Sequence, residues 1–143
     1  MTAYRRILAA IDLTQDSQVV AGRACAIARA GNATVQLLHV TEIIPIEPMN
    51  DSVVPMIQID DQMMLRNRER MAALLLELGL PQDAGSVEAG NAKGEILRYA
   101  REHNADLIVL GSRERHGLSI LLHRTEDSVL HGAPCDVLAV RVR

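Results

Sequence analysis

The sequence predicts one α/β domain, a doubly wound three-layer sandwich with a parallel sheet between two layers of helices. Three observations lead there. Short apolar runs alternate with helix-patterned segments along all 143 residues. The runs ILAAI, TVQLLHV and DLIVLG are nearly continuous in apolar character, as strands covered on both faces are. The length is that of one ordinary domain, without internal repeat or linker. Right-handed crossovers between parallel strands then distribute the helices over both faces.

Each element has its own signal. Tyr4 to Asp12 (YRRILAAID) reads as a buried strand ending in an acid. Ser17 to Ala30 is helical, with Val20, Ala24, Ile27 and Ala28 on one face, Asp16 or Ser17 as N-cap and Gly31 as the stop. Ala33 to Val40 is a second strand, and Pro45, Pro48 and Pro55 then argue against a regular element over 41–58. Asp60 to Leu78 is a long helix with Met64, Met71, Leu75 and Leu78 on one side, stopped by Gly79 and Pro81. Ser86 to Ala89 is a short strand at best. Lys93 to His103 is a helix with Ile96, Tyr99, Ala100 and His103 sharing a face, and Ala105 to Gly111 is the clearest buried strand. A last helix falls within Ser119 to Gly132 and a last strand within Pro134 to Arg143.

Composition narrows the function. With two Tyr and no Phe or Trp, the core must be filled by Val, Ile, Leu, Ala and Met. The chain also lacks the aromatic platforms on which single-stranded nucleic acids stack. A net charge of −3 gives no general attraction to nucleic acid or anionic lipid. No apolar run reaches the roughly 20 residues needed to span a bilayer. Cys25 and Cys135 form neither C-x-x-C nor zinc spacing, which suits a reducing, intracellular compartment.

Ligands of open α/β sheets bind beyond the carboxyl ends of the strands, where strand order reverses. Those ends carry Asp12, Val40–Thr41, Gly90 and Gly111–Ser112. Neither G-x-G-x-x-G nor the Walker A pattern occurs, which excludes the usual dinucleotide and P-loop sites. The segment after Leu110 is the richest in chemistry: Gly111 and Gly117 permit close backbone approach, Ser112 offers a hydroxyl, and Arg113, Arg115 and His116 bring donors for phosphate. Asp12 can equally be a turn or helix-cap acid. An exposed strand end predicts little loss of stability on replacing it. His39, inside an apolar strand, reads as a satisfied core or rim histidine. His123, Asp127 and His131 share a helical spacing that a solvated face explains better than a metal. No Ser–His–Asp or Cys–His triad can be argued from spacing.

The ordered set YRRILAAIDLTQDS, EAGNAKGEILRYAREHNADLIVLGSR and GLSILL…SVLHGAPCDVLAVR resembles the universal stress protein family over the whole chain. That resemblance implies a Rossmann-like, five-strand parallel sheet in the order 3-2-1-4-5. It also implies a cytosolic stress-response protein without established catalysis, and a homodimer built on the last strand, Asp136, Val137, Leu138, Ala139, Val140, Arg141 and Val142. One branch of the family binds adenine nucleotides through G-2x-G-9x-G-(S/T), with the acid ending strand one and the residue ending strand two holding the nucleoside. The candidate set is then Asp12, Leu13, Thr14, Val40, Gly111, Ser112, Arg113, Arg115, His116, Gly117, Arg124 and Thr125.

The sequence departs from that motif. Glu114 stands at the second glycine, and with one residue fewer between them the later Gly-(Ser/Thr) pair falls on His123–Arg124. Glu114 adds a Cβ, which restricts left-handed backbone angles, and a carboxylate. Two like charges about 4 Å apart cost about 4 kcal/mol at an effective dielectric of about 20, so phosphate binding is weakened. Arg113, Arg115, Arg124 and His116 offset part of this. The favoured reading is a dimeric, non-catalytic stress protein with a degenerate nucleotide loop and little or no nucleotide affinity, which acts through a protein partner. The alternative is a sensor that binds AMP or ATP, and a third reading is a slow ATP hydrolase using Asp12 to orient water.

Overall fold

In the computed structural model, the described residues are 3–43, 61–113 and 129–142. They form strand β1 (Arg6–Ala10), helix α1 (Ser17–Gly31), β2 (Thr34–Glu42), α2 (Asp61–Leu78), a 3₁₀ turn (Gln82–Ala84), β3 (Gly85–Gly90), α3 (Ala92–Glu102), β4 (Leu107–Arg113) and β5 (Asp136–Val142). Residues 129–132 are also helical. The sheet order is β3-β2-β1-β4-β5 and every pair is parallel. The chain steps outward from β1 through β2 to β3, then returns to the other side of β1 for β4 and β5.

This path sorts the helices by face. α1 and α2 pack on one face with Ile7, Ala9, Leu37, Leu107, Val109, Val140 and Val142 of the sheet. α3 and Val129 pack on the opposite face with Leu8, Leu38, Ile108 and Leu110. The alternation of neighbours such as Ile7/Leu8 and Leu37/Leu38 between the two clusters is the period of two of a strand buried on both sides. At the opposite, amino end, Asp106 closes the β1–β4 pair by accepting the Arg5 and Arg6 amides at 2.8 and 3.0 Å.

The element boundaries move by at most two residues from those expected. α1 runs through Gly31, and Asn32 takes the left-handed position (φ 54°) that ends it. Asparagine tolerates that conformation because its short polar side chain can bond locally. Asp16 is the N-cap residue but makes no side-chain cap hydrogen bond, while Ser17 is the first helical residue. β2 extends two residues past Val40, because Thr41 and Glu42 pair with Ala89 and Gly90 of β3. Residues 44–60, which hold the three prolines, lie outside the described residues.

A core almost without rings fits together by close approach. Tyr99 is its buried aromatic residue among those described, and its largest fully buried side chains are Ile, Leu and Val. At the start of β3 the backbone lies so near α2 that a Cβ on Gly85 would sit 2.7 Å from Leu75 Cδ1 and 2.8 Å from Met71 Cγ. Both neighbours are buried and have little room to yield. Gly85→Ala should therefore cost about 1–3 kcal/mol, the usual range for overpacking, in urea-induced unfolding.

Candidate functional site

β1 pairs with β2 as far as Ala10↔Leu38 and with β4 as far as Ala10↔Leu110. Two residues beyond these pairs stand Asp12, Val40 and Ser112, one row across three adjacent strand ends. From here the chain leaves β1 for α1 on one face, while the connection after β4 reaches Val129 on the other. The strands' continuations part at this switch point, the place where ligands of open α/β sheets bind.

Asp12 organises the turn into α1. Its Oδ1 accepts the Thr14 amide at 3.1 Å, the Thr14 hydroxyl at 2.7 Å and the Ser17 hydroxyl at 3.1 Å. The Thr14 hydroxyl oxygen accepts the Asp16 amide at 3.3 Å. Leu13 is carried through left-handed backbone (φ 58°), and its side chain packs against the α1-side core. Ser17 is buried, so the carboxylate reaches from an exposed strand end onto the foot of the helix. Three hydrogen bonds to one oxygen make Asp12 an Asx-turn acid, one of the two parts the sequence left open for it.

Val40 is half-buried in β2 and packs against the α3-side core. Its neighbour His39 points to the other face, where Nδ1 lies 2.8 Å from the carbonyl oxygen of Ile11. A carbonyl only accepts, so Nδ1 carries the proton. Nε2 then accepts from Asn67 Nδ2 at 3.4 Å, and the same amide group donates to Thr41 Oγ1 at 2.9 Å. Asn67 is buried on α2 between Met64 and Met71. Sequence reasoning reduced His39 to a satisfied core or rim residue and did not single out Asn67. The available signal was a polar residue on the apolar stripe of a helix.

Gly111 was expected to end the strand and open the loop, with Ser112 and Arg113 inside that loop, but all three continue β4. Val140, Arg141 and Val142 of β5 pair with them, and that non-local ladder holds them extended. The missing side chain of Gly111 makes room for α1: a Cβ there would sit 3.2 Å from Val20 Cγ2. Close packing of α1, rather than approach to phosphate, is the role of Gly111 that the structure displays. The remaining members of the loop, Glu114, Arg115, His116, Gly117, His123, Arg124 and Thr125, lie outside the described residues, as does Asp127. His131 is exposed, and no group of three metal-ligating side chains occurs among the described residues.

Among the described residues β5 pairs with β4 alone and is a sheet edge. Its residues do not act alike. Val140 and Val142 are buried beneath α1, and Val137 and Leu138 are half-buried. Ala139, Arg141 and Asp136 are exposed, with Asp136 Oδ2 accepting the Tyr4 hydroxyl at 2.7 Å. Side-chain interface chemistry is thus confined to part of the strand. Burial pushes both thiols up, with Asp106 and Asp136 adding to the effect at Cys135, so neither has the lowered pKa of a reactive cysteine.

The sequence matches the Universal stress protein family over residues 3–141. It is 35% identical to Universal stress protein A homolog 1 of Coxiella burnetii, covering 96% of each chain. Universal stress protein A homolog 2 of the same organism is 33% identical over 100% of this chain and 99% of its own. In fold it is similar to a universal stress protein solved in complex with cAMP (TM-score 0.65, 20% identity, 97% and 98% of the two chains). It is also similar to the universal stress protein from Archaeoglobus fulgidus solved in complex with dAMP (TM-score 0.63, 17% identity, 97% and 99%). The full-length match, the identity above 30% and the shared five-strand topology agree: this chain belongs to the universal stress protein family.

Proposed function

We propose that this protein is a cytoplasmic, dimeric and non-catalytic stress-response regulator whose strand-end crevice takes an adenosine monophosphate-type nucleotide. The observation that carries this reading is the row Asp12, Val40 and Ser112 at the switch point, with the Asp12 turn already formed. Asp12 has acceptor chemistry for a ribose or amino donor. Val40 supplies an apolar wall and strand-end backbone, and Ser112 a hydroxyl. Glu114 and the absence of the later Gly-(Ser/Thr) pair penalise a triphosphate more than a monophosphate, because repulsion grows with ligand charge. The proteins of like fold that hold cAMP and dAMP support the choice of a monophosphate. Asp12 holds its own turn through Oδ1, and neither thiol is activated, so the described residues favour binding over turnover. A bound nucleotide is then a signal read by a protein partner.

The dimer follows from the edge of β5. An unpaired edge strand is a liability, and antiparallel pairing with a two-fold mate satisfies both copies in one isologous interface.

Calorimetric titration tests the ligand. AMP should bind the parent protein at least as tightly as ATP. Asp12→Ala should weaken AMP by about 1.5–3 kcal/mol, roughly tenfold to a hundredfold or more, as for hydrogen bonds to charged groups. The same variant should lose about 0.5–2 kcal/mol of stability, as when a helix start loses its side-chain acceptor. Asp12→Asn keeps an acceptor oxygen and should melt closer to the parent. Undiminished AMP affinity in Asp12→Ala contradicts the assignment.

Sedimentation equilibrium tests the assembly. A concentration-dependent dimer is expected, and a monomer at every concentration refutes the edge-pairing reading.

A further inference from the structure

We propose that His39 is a positioning residue that sets the nucleotide crevice by locking the ends of β1 and β2 together from beneath. The β1–β2 register ends at Ala10↔Leu38, and Ile11 still donates its amide to Leu38 O at 2.9 Å. The next bond in the ladder comes from a side chain. The His39 imidazole donates from Nδ1 to the Ile11 carbonyl at 2.8 Å, so a rigid ring continues the pairing past the last paired residues.

The residues flanking this bond are the ones the crevice uses. Asp12 follows Ile11, and Val40 follows His39, so one hydrogen bond ties together the peptide units that present both. The ring is itself held. Asn67 Nδ2 approaches His39 Nε2 at 3.4 Å and donates to Thr41 Oγ1 at 2.9 Å, using one N–H toward each. Asn67 is buried, and α2 is packed on β3 and β2, so the imidazole is anchored to a rigid element. An oriented imidazole with its tautomer fixed by a second partner is how supporting residues hold ligand-contacting groups in place. His39 does not touch the ligand. It acts through the backbone on either side of the crevice.

This inference rests on the adenosine reading of the crevice, and its test separates the two. Asparagine places its Nδ2 where the imidazole has Nδ1. Glutamine places its end group where the imidazole has Nε2. His39→Asn therefore keeps the donor to Ile11 and gives up Asn67, while His39→Gln does the reverse. In the ligand-free protein, amide hydrogen exchange over residues 11–14 and 40 should stay within about threefold of the parent in His39→Asn. It should rise at least tenfold in His39→Gln, with the exchange of α3 and β4 unchanged in both. AMP affinity should follow the same order, near parental in His39→Asn and lowered at least tenfold in His39→Gln. Nitrogen chemical shifts of the parent imidazole should report the Nδ1–H tautomer. Equal behaviour of the two variants, or an Nε2–H tautomer, overturns the role of His39. If the parent fails to bind AMP, the proposed ligand falls, and the exchange data alone still decide whether His39 holds the strand ends.

Discussion

A helix joining two parallel strands takes a right-handed crossover, and this handedness places every other part of the protein. Moving outward from β1 it puts α1 and α2 on one face, and moving back past β1 it puts α3 on the other. Because β1 is central, its neighbours β2 and β4 belong to the two halves of that path. The chain leaves their carboxyl ends toward opposite faces, and the switch point is a consequence of topology before any side chain is chosen.

Side chains then decide how sharply the crevice is defined. A core poor in rings brings backbones close, as at Gly85 under α2 and Gly111 under Val20 of α1. Close layers leave little room for a strand end to drift. On one side of the switch point Asp12 gathers Thr14 and Ser17 into a fixed turn. On the other, His39 of β2 bonds the Ile11 carbonyl just past β1 and meets Asn67 of α2. Polar groups at the rim complete a geometry that apolar packing begins.

Most of the fold was legible because strands buried on both faces advertise themselves. ILAAI, QLLHV and DLIVL hold their apolar character with no need of context. β3 was nearly invisible, since GSVEAG is half-buried at an edge and draws its strand character from pairing with β2. The same cause hid the end of β4: Gly111, Ser112 and Arg113 have turn chemistry, and only β5, far along the chain, makes them a strand. At the site, the acid ending β1 was readable by type and place. Its three-donor turn was readable in part, because Thr14 and Ser17 lie close in sequence. The contact of His39 with Asn67 was not readable, since it joins residues 28 apart on different elements.

The central claim is that Asp12, Val40 and Ser112 form one nucleotide-binding row. The most direct measurement is a titration of ¹⁵N-labelled protein with AMP, followed by amide chemical shifts. The account predicts saturable changes concentrated at residues 12–14, 40–41 and 111–112, with α3 and β5 little affected. No change at millimolar AMP, or changes confined to other parts of the protein, would contradict it.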